Sequence, residues 1–296
     1  MIDQPHTDLL GLCTHHDKHR HSAIARPFQS PPAFVYSRAM RRYPAEPVSG
    51  LVTISRWLAL VAWAFSVSGV LAVRLGGLPP LRGLIVVGVG ISIAVIAVVV
   101  ACGGFVRIWR FGAPGVGLNT RGLLLAMALL VWPGFMAVTA ARLPVLNDIT
   151  TDIVDPPSFS RSRAAVDARR GSIPAEFDRQ RVADNQEDYA RLRTIVIEQT
   201  PEEVMGLALK AATNLGWVII DSTSPSGRNA NGRIDAVVTS FLFKFPDDIT
   251  IRIKPVGNET RVDLRSASRF GRHDFGVNTQ RIQSFTKEIE VLANAR

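Results

Sequence analysis

Between Arg265 and Arg281 the chain reads Arg265-Ser266-Ala267-Ser268-Arg269-Phe270-Gly271-Arg272-His273-Asp274-Phe275-Gly276-Val277-Asn278-Thr279-Gln280-Arg281. Hydroxyls, a carboxylate, an imidazole and guanidiniums stand close together here. Ser266 or Ser268 with Arg269, His273 and Asp274 would form an acid–base site if the loop folded back on the strand before it. Gly271 and Gly276, flanking polar residues ahead of a helix, would instead shape an anion nest at its N-terminus. In a third arrangement Asp274 and Asn278 cap that helix and pair with Arg269 or Arg281. From residue 143 onward there is no cysteine, no second histidine and no Gly-x-Ser-x-Gly elbow, so metal hydrolysis and thiol or serine-elbow chemistry lack their parts. A lone loop histidine is more often solvated than catalytic. Enzyme action is thus the weaker expectation, with a hydrolase using loop 266–281 as its form. No catalytic residue, metal site or cofactor is assigned.

A second group of cations comes from alternation. Ile249, Ile251 and Ile253 point one way while Thr250, Arg252 and Lys254 point the other. On the next segment Val262 and Leu264 oppose Arg261, Asp263 and Arg265, with Arg269 just beyond. The apolar face packs on helices, and the opposite face is expected either to be solvated or to recognise anions, because guanidinium forks suit carboxylate and phosphate. The candidate ligand set is Arg252, Arg265, Ser266, Ser268, Arg269, Asp274, Asn278 and Arg281, balanced by Asp263 and Asp235.

These residues need a frame, and the pattern from residue 192 supplies one. Leu192–Glu198 reads as a strand. Thr200, Pro201 and Glu203 form an N-cap, first helical residue and capping box, followed by Val204, Leu207, Ala208, Ala211 and Leu215 on one helical face up to Gly216. Strands follow over Trp217–Asp221, Arg233–Phe243, Ile249–Lys254 and Arg261–Ser268, with a turn at Pro225–Gly232. A last helix carries Ile282, Phe285, Ile289 and Leu292. The order β-α-β-β-β-β-α with short connections predicts an α+β fold, an antiparallel sheet with helices on one face. Residues 158–192, rich in Arg, Asp and Gln, read as an extended, partly disordered segment over the surface.

Ahead of this domain lie three runs without a charged residue or histidine, Trp57–Val73, Leu84–Val106 and Leu123–Ala141. Each is close to the roughly 20 apolar residues that cross a bilayer, and Trp57 and Trp109 stand at run ends where interfacial belts form. The expected domains are a disordered extension over 1–50, a three-helix membrane region over 51–142 and a separate domain over 143–296. The spans hold no ionisable group, which argues against a pump or proton relay; Pro133-Gly134 and small residues such as Ser68, Ala72, Gly90 and Ala94 suit helix packing.

Net charge is +9, and residues 1–142 hold 13 basic and 4 acidic side chains, against 21 of each in 143–296. The excess therefore reads as topogenic charge, and the balanced C-terminal half loses the electrostatic basis for binding nucleic acid. Arg38, Arg41, Arg42 and Arg56 precede the first run and Arg107, Arg110 and Arg121 lie between the second and third, against Arg74, Arg82 and Arg142 on the other side. This places the N-terminus in the cytoplasm and the C-terminal domain outside, in the periplasm of a bacterium with the helices in its inner membrane. The extension carries His6, His15, His16, His19 and His21 with Cys13 and Asp17; the composition suits Zn²⁺ or Ni²⁺, but a solvated extension, or a start at Met40, explains it as well.

Three stretches together resemble the bacterial family catalogued as domain of unknown function 1499. They are Asn147-Asp148-Ile149-Thr150-Thr151-Asp152 with Pro156-Pro157, then Phe245-Pro246-Asp247-Asp248 ahead of Ile251-Arg252-Ile253, then Arg265-Ser266-x-Ser268-Arg269 through Arg281-Ile282. The resemblance covers about residues 143–296. It implies a small α+β domain, often tethered to a bacterial inner membrane, and no established activity. The first and third motifs are too polar for core packing alone and are expected to meet, closing one site or one structural corner. The functional expectation is a non-enzymatic envelope module whose partners are the lipid bilayer and an anionic lipid, a cell-wall acid or a protein.

Overall fold

The computed structural model describes residues 48–171, 176–183, 192–226 and 231–295. Most of the expected disordered extension, including its histidines and Cys13, lies outside the described residues. The apolar runs are helices α1 (Gly50–Arg74), α2 (Pro80–Phe111) and α3 (Val116–Arg142), each long and apolar enough to cross a membrane. They exceed the uncharged runs because Arg56, Arg82, Arg107, Arg110 and Arg121 continue the helices beyond the apolar stretch. Pro80 opens α2 at a first-turn position that needs no amide donor.

Small side chains set how closely these helices pack. A Cβ on Gly90 would stand 2.2 Å from Ser66 Oγ and 2.8 Å from Ala62 O. Ala59, Ala97 and Ala126 form a buried cluster. Ala94 is buried like Gly90, whereas Ser68 faces outward. Two polar links not anticipated from the sequence tie the helices together: Trp63 Nε1 donates to Leu125 O at 2.9 Å, and the buried Asn119 donates to Ala101 O at 2.8 Å and accepts from Ser55 Oγ at 3.3 Å.

The C-terminal half is an antiparallel sheet with helices on one face. Its strands are β1 (Asp148–Thr150), β2 (Ile195–Ile197), β3 (Val218–Thr223), β4 (Gly232–Thr239), β5 (Pro246–Val256) and β6 (Glu259–Ser268). The spatial order is β1-β6-β5-β4-β3, with β2 also on β6. β1 and β2 share one edge: β1 pairs with residues 265–267 of β6 and β2 with residues 260–262. The expected β-α-β-β-β-β-α order holds, preceded by β1 and by the short helices α4 (Arg163–Ala168) and α5 (Arg179–Ala183). β4 stops at Thr239, short of the expected Phe243, because Ser240–Phe245 turn: Ser240 N donates to Phe245 O and Lys244 N to Ser240 O, with Lys244 at φ 51°.

Helices α6 (Pro201–Asn214) and α7 (Val277–Asn294) cover the apolar face. The capping box is made in both directions, Glu203 N to Thr200 Oγ1 and Thr200 N to Glu203 Oε2. Ile234, Ala236, Ile249, Ile251, Ile253, Val262 and Leu264 from the sheet are fully buried against Val204, Leu207, Ile282, Phe285 and Ile289. Trp217 stacks on Phe285 at 5.3 Å. Each buried Ile or Phe contributes roughly 1.5–3 kcal/mol, and this single core fixes which side chains turn to the other face.

Candidate functional site: an arginine–carboxylate corner

Much of the other face of the sheet is covered rather than solvated. Residues 151–171 and Phe177 lie across it, so the described part of the segment read as a surface strap is a lid on the charged residues. Three clusters form beneath it. In the first, Arg252 holds Asp152 at 2.9 Å, Asp155 at 2.8 Å and Asp263 at 2.8 Å. Asp263 also accepts from Thr151 Oγ1 at 3.2 Å and Thr194 Oγ1 at 2.6 Å. Asp152 is positioned by the turn it makes, accepting from the amides of Val154 and Asp155.

The second cluster joins the first and third motifs. Arg265 Nη2 reaches Asp148 Oδ2 at 2.6 Å and Arg265 Nε reaches Oδ1 at 3.0 Å, a fork-on-carboxylate pair. The guanidinium lies 4.8 Å from the Phe159 ring centre and 5.1 Å from that of Phe177, a double cation–π contact. Thr150 Oγ1 donates to Leu264 O at 2.9 Å, and Thr151 N donates to the same carbonyl.

The third cluster centres on Arg169, whose side chain is 1% exposed. Its Nη2 donates to Asp235 at 2.7 Å, its Nε to Asp248 at 3.0 Å and its Nη1 to Ser160 O at 2.7 Å. Arg269 forks onto the same Asp248, at 2.8 Å through each of two nitrogens. At the rim Asp221 accepts from Ser160 Oγ and from Ser162 Oγ at 2.8 Å. The Ser160 hydroxyl holds the Asp221 carboxyl below its ordinary range, whereas burial pushes Asp148, Asp235 and Asp247 above it.

On the helix side, loop 266–281 resolves among its three sequence-level arrangements. Asp274 accepts from Gly276 N and Asn278 N, both at 3.0 Å, so it caps α7. Asn278, fully buried, accepts from Ser266 Oγ at 2.7 Å and donates to Ser268 Oγ at 3.0 Å and Asn147 O at 3.2 Å. Arg281 donates to Asn278 at 2.5 Å, to Ser266 Oγ at 3.1 Å and to Asp247 at 2.9 Å. Asn147 Nδ2 reaches Gly271 O at 2.8 Å. His273 Nδ1 accepts from Phe275 N at 2.8 Å and its ring stacks on Phe275, so its partners are local and neither serine is among them.

The structure thus gathers Arg265, Asp148, Thr150 and Thr151 on one side of β6 and Ser266, Ser268, Asn278, Arg281 and Asn147 on the other. Arg252 and Arg269 join carboxylate clusters, while Lys254 and Arg261 stay exposed. Sequence reasoning missed Arg169, Asp248 and Ser160. Asp248 stood in the Pro246-Asp247-Asp248 stretch, but Arg169 carries no periodicity that marks it as buried. A groove of about 500 Å³ between β2 and α7 is lined by Arg193, Thr194, Gln283, Lys287 and Glu290 among others; none of the candidate ligand residues lines it, and Thr194 links it to Asp263 of the first cluster. Among the described residues no group of three or more His, Cys, Asp or Glu is placed to hold a metal ion.

A sheet with helices on one face, a lidded arginine–carboxylate layer on the other and three apolar helices ahead of it defines a membrane-associated α+β protein. Residues 148–289 match the model of the family described as "Protein of unknown function (DUF1499)", the family that the three polar motifs resemble. No curated protein matches the chain. Among solved structures, the protein TTHA0849 from Thermus thermophilus aligns at 17% identity over 34% of this chain and 94% of that chain. Its TM-score is 0.20, too low to bear on fold or role.

Proposed function

We propose that this is a membrane-anchored envelope protein whose C-terminal domain stands on the periplasmic side of a bacterial inner membrane and acts without catalysis, as a binding or assembly module. The observation that carries this reading is the pairing inside loop 266–281. A nucleophilic hydroxyl needs a free base within hydrogen-bond reach, yet Ser266 donates to Asn278, Ser268 accepts from Asn278 and bonds to Asp247, whose carboxylate Arg281 already holds, and Asp274 is occupied by the amides of Gly276 and Asn278. The residues of the hydrolase alternative are joined as a structural corner. The distribution of arginines about α1–α3 supports the orientation.

Within this reading the set Arg252, Arg265, Ser266, Ser268, Arg269, Asp274, Asn278 and Arg281 meets anions with graded access. Arg265, Arg269 and Arg281 hold carboxylates whose side chains are 20%, 1% and 10% exposed. Arg252 differs, because the Asp155 side chain that it holds is 67% exposed. An anionic lipid headgroup, a cell-wall acid or an acidic segment of a protein partner competes most readily there. The test is native mass spectrometry of the full chain purified from membranes in a mild detergent. An added mass that persists in Arg261→Ala and is lost in Arg252→Ala supports the reading; a bare mass in every form contradicts binding at this surface.

A further inference from the structure

Two loops of the C-terminal half meet the ends of the apolar helices. The first is Ser240–Phe245 between β4 and β5, and the second is Arg269–Gly276 between β6 and α7. Arg74, the last residue of α1, donates from Nη1 to Phe241 O at 2.7 Å, and its guanidinium lies 5.0 Å from the Phe241 ring centre. Lys244 Nζ returns a bond to Arg74 O at 3.0 Å. At the end of α3, Leu143 approaches Gly276 so closely that a Cβ there would stand 3.1 Å from Leu143 Cδ1.

The same two loops carry the exposed aromatic surface of this half of the chain. Phe241 is 79% exposed, Phe270 49% and Phe275 39%. The rings run together, Phe243 to Phe245 at 6.0 Å and Phe245 to Phe270 at 5.4 Å. Phe241-Leu242-Phe243-Lys244-Phe245 is a five-residue apolar tip interrupted by one cation. Lys244 and Phe275 both adopt left-handed backbone conformations, with φ 51° and 55°, which persist only where surroundings hold them. Contiguous apolar patches of this kind mark an interaction surface.

The position of the patch selects the partner. α1 and α3 end at Arg74 and Arg142, so both loops lie at the level where the apolar helices stop, together with Leu75, which is 84% exposed. We propose that the two aromatic loops seat the C-terminal domain in the bilayer itself, with Phe241, Phe270 and Phe275 in the acyl–headgroup boundary and Arg74 and Lys244 facing lipid phosphates. Aromatic rings and snorkelling cations are the side chains that this boundary favours. The domain is then held at a fixed tilt on the membrane surface. This inference rests on α1–α3 crossing the membrane.

The experiment is depth measurement by nitroxide spin labels on the full chain in nanodiscs of phosphatidylethanolamine and phosphatidylglycerol. Single cysteines replace Phe241, Phe275, Val154 and Val95, one at a time, in a Cys13→Ser/Cys102→Ser background. Phe241→Cys and Phe275→Cys labels are expected to collide with dissolved oxygen more than with a water-soluble nickel chelate, at boundary depth. The Val154→Cys label, at a site 81% exposed in the lid, is expected to favour the nickel chelate. Val154-like accessibility at both Phe241→Cys and Phe275→Cys, with the Val95→Cys label of α2 deep in lipid, overturns the seat while leaving the helices as spans. Aqueous accessibility at Val95→Cys overturns the membrane placement of the helices, and the seat with it.

Discussion

Arg265 clasps Asp148 through two nitrogens, with its shortest contact at 2.6 Å, and thereby fastens the first polar motif of the chain to the third across 117 residues. Phe159 and Phe177 flank the guanidinium, so the pair has little freedom to rehydrate. Truncating one partner of such a pair strands the other charge. Arg265→Ala is expected to destabilise the domain by about 3 kcal/mol, and Arg265→Lys by less, since one ammonium keeps the charge but loses the fork. Thermal unfolding of the detergent-solubilised chain, run as a double-mutant cycle with Asp148→Asn, measures the coupling.

Arg169 is more deeply committed. It faces Asp235 and Asp248, whose side chains are 0% and 1% exposed. Arg169→Ala leaves both carboxylates buried, with Asp248 still met by Arg269 and Asp235 by Arg233 at 3.2 Å, and is expected to cost about 3 kcal/mol. Arg252→Ala is expected to cost less, because Asp152 and Asp155 can turn to water and the buried Asp263 keeps its bonds from Thr151 and Thr194. Urea denaturation followed by tryptophan fluorescence ranks the two; equal losses would contradict the graded burial of the face.

Two carboxyls are expected to titrate in opposite directions from their ordinary value of 3.8. The hydrogen bond from Ser160 lowers Asp221, so its contribution to stability is present above 3.8 and is lost as pH falls through its lower folded value. Burial raises Asp274. The folded chain then takes up this proton before the unfolded one, and the Asp274 contribution to stability rises as pH falls from the raised value towards 3.8. Carboxyl-carbon NMR titration reads both, and Ser160→Ala should return Asp221 towards 3.8.

In the helical region the close approach at Gly90 is decisive. Gly90→Val places a side chain against Ser66 and the Ala62 carbonyl, and α1 and α2 must separate. A loss of about 1–3 kcal/mol is expected from overpacking, visible as a lower melting temperature in detergent. Gly88→Val, with open space around it, is expected to be neutral.

The sequence was legible wherever one periodicity governed. Alternation at Ile249–Lys254, the capping box at Thr200 and Glu203 and the apolar face of the last helix all correspond to observed elements, because burial of one face dictates each pattern. The corner was half legible. Motif polarity implied that Asn147–Asp152 and Arg265–Arg281 had to meet something, and they meet each other. What stayed hidden was the lid. Arg169 sits in a stretch whose composition reads as solvated, and its burial depends on Asp235 and Asp248 arriving from two distant strands. Asn119 was likewise hidden, since its partners Ser55 and Ala101 come from other helices.

The central claim, a domain carried on the outer face of the membrane, is tested most directly by labelling intact cells with a membrane-impermeant maleimide. The chain would carry Val154→Cys as its only cysteine, in a Cys13→Ser/Cys102→Ser background. Labelling before lysis, equal to that after lysis, is the result expected for a periplasmic domain. Labelling that appears only once the inner membrane is broken would put the domain in the cytoplasm and contradict the account.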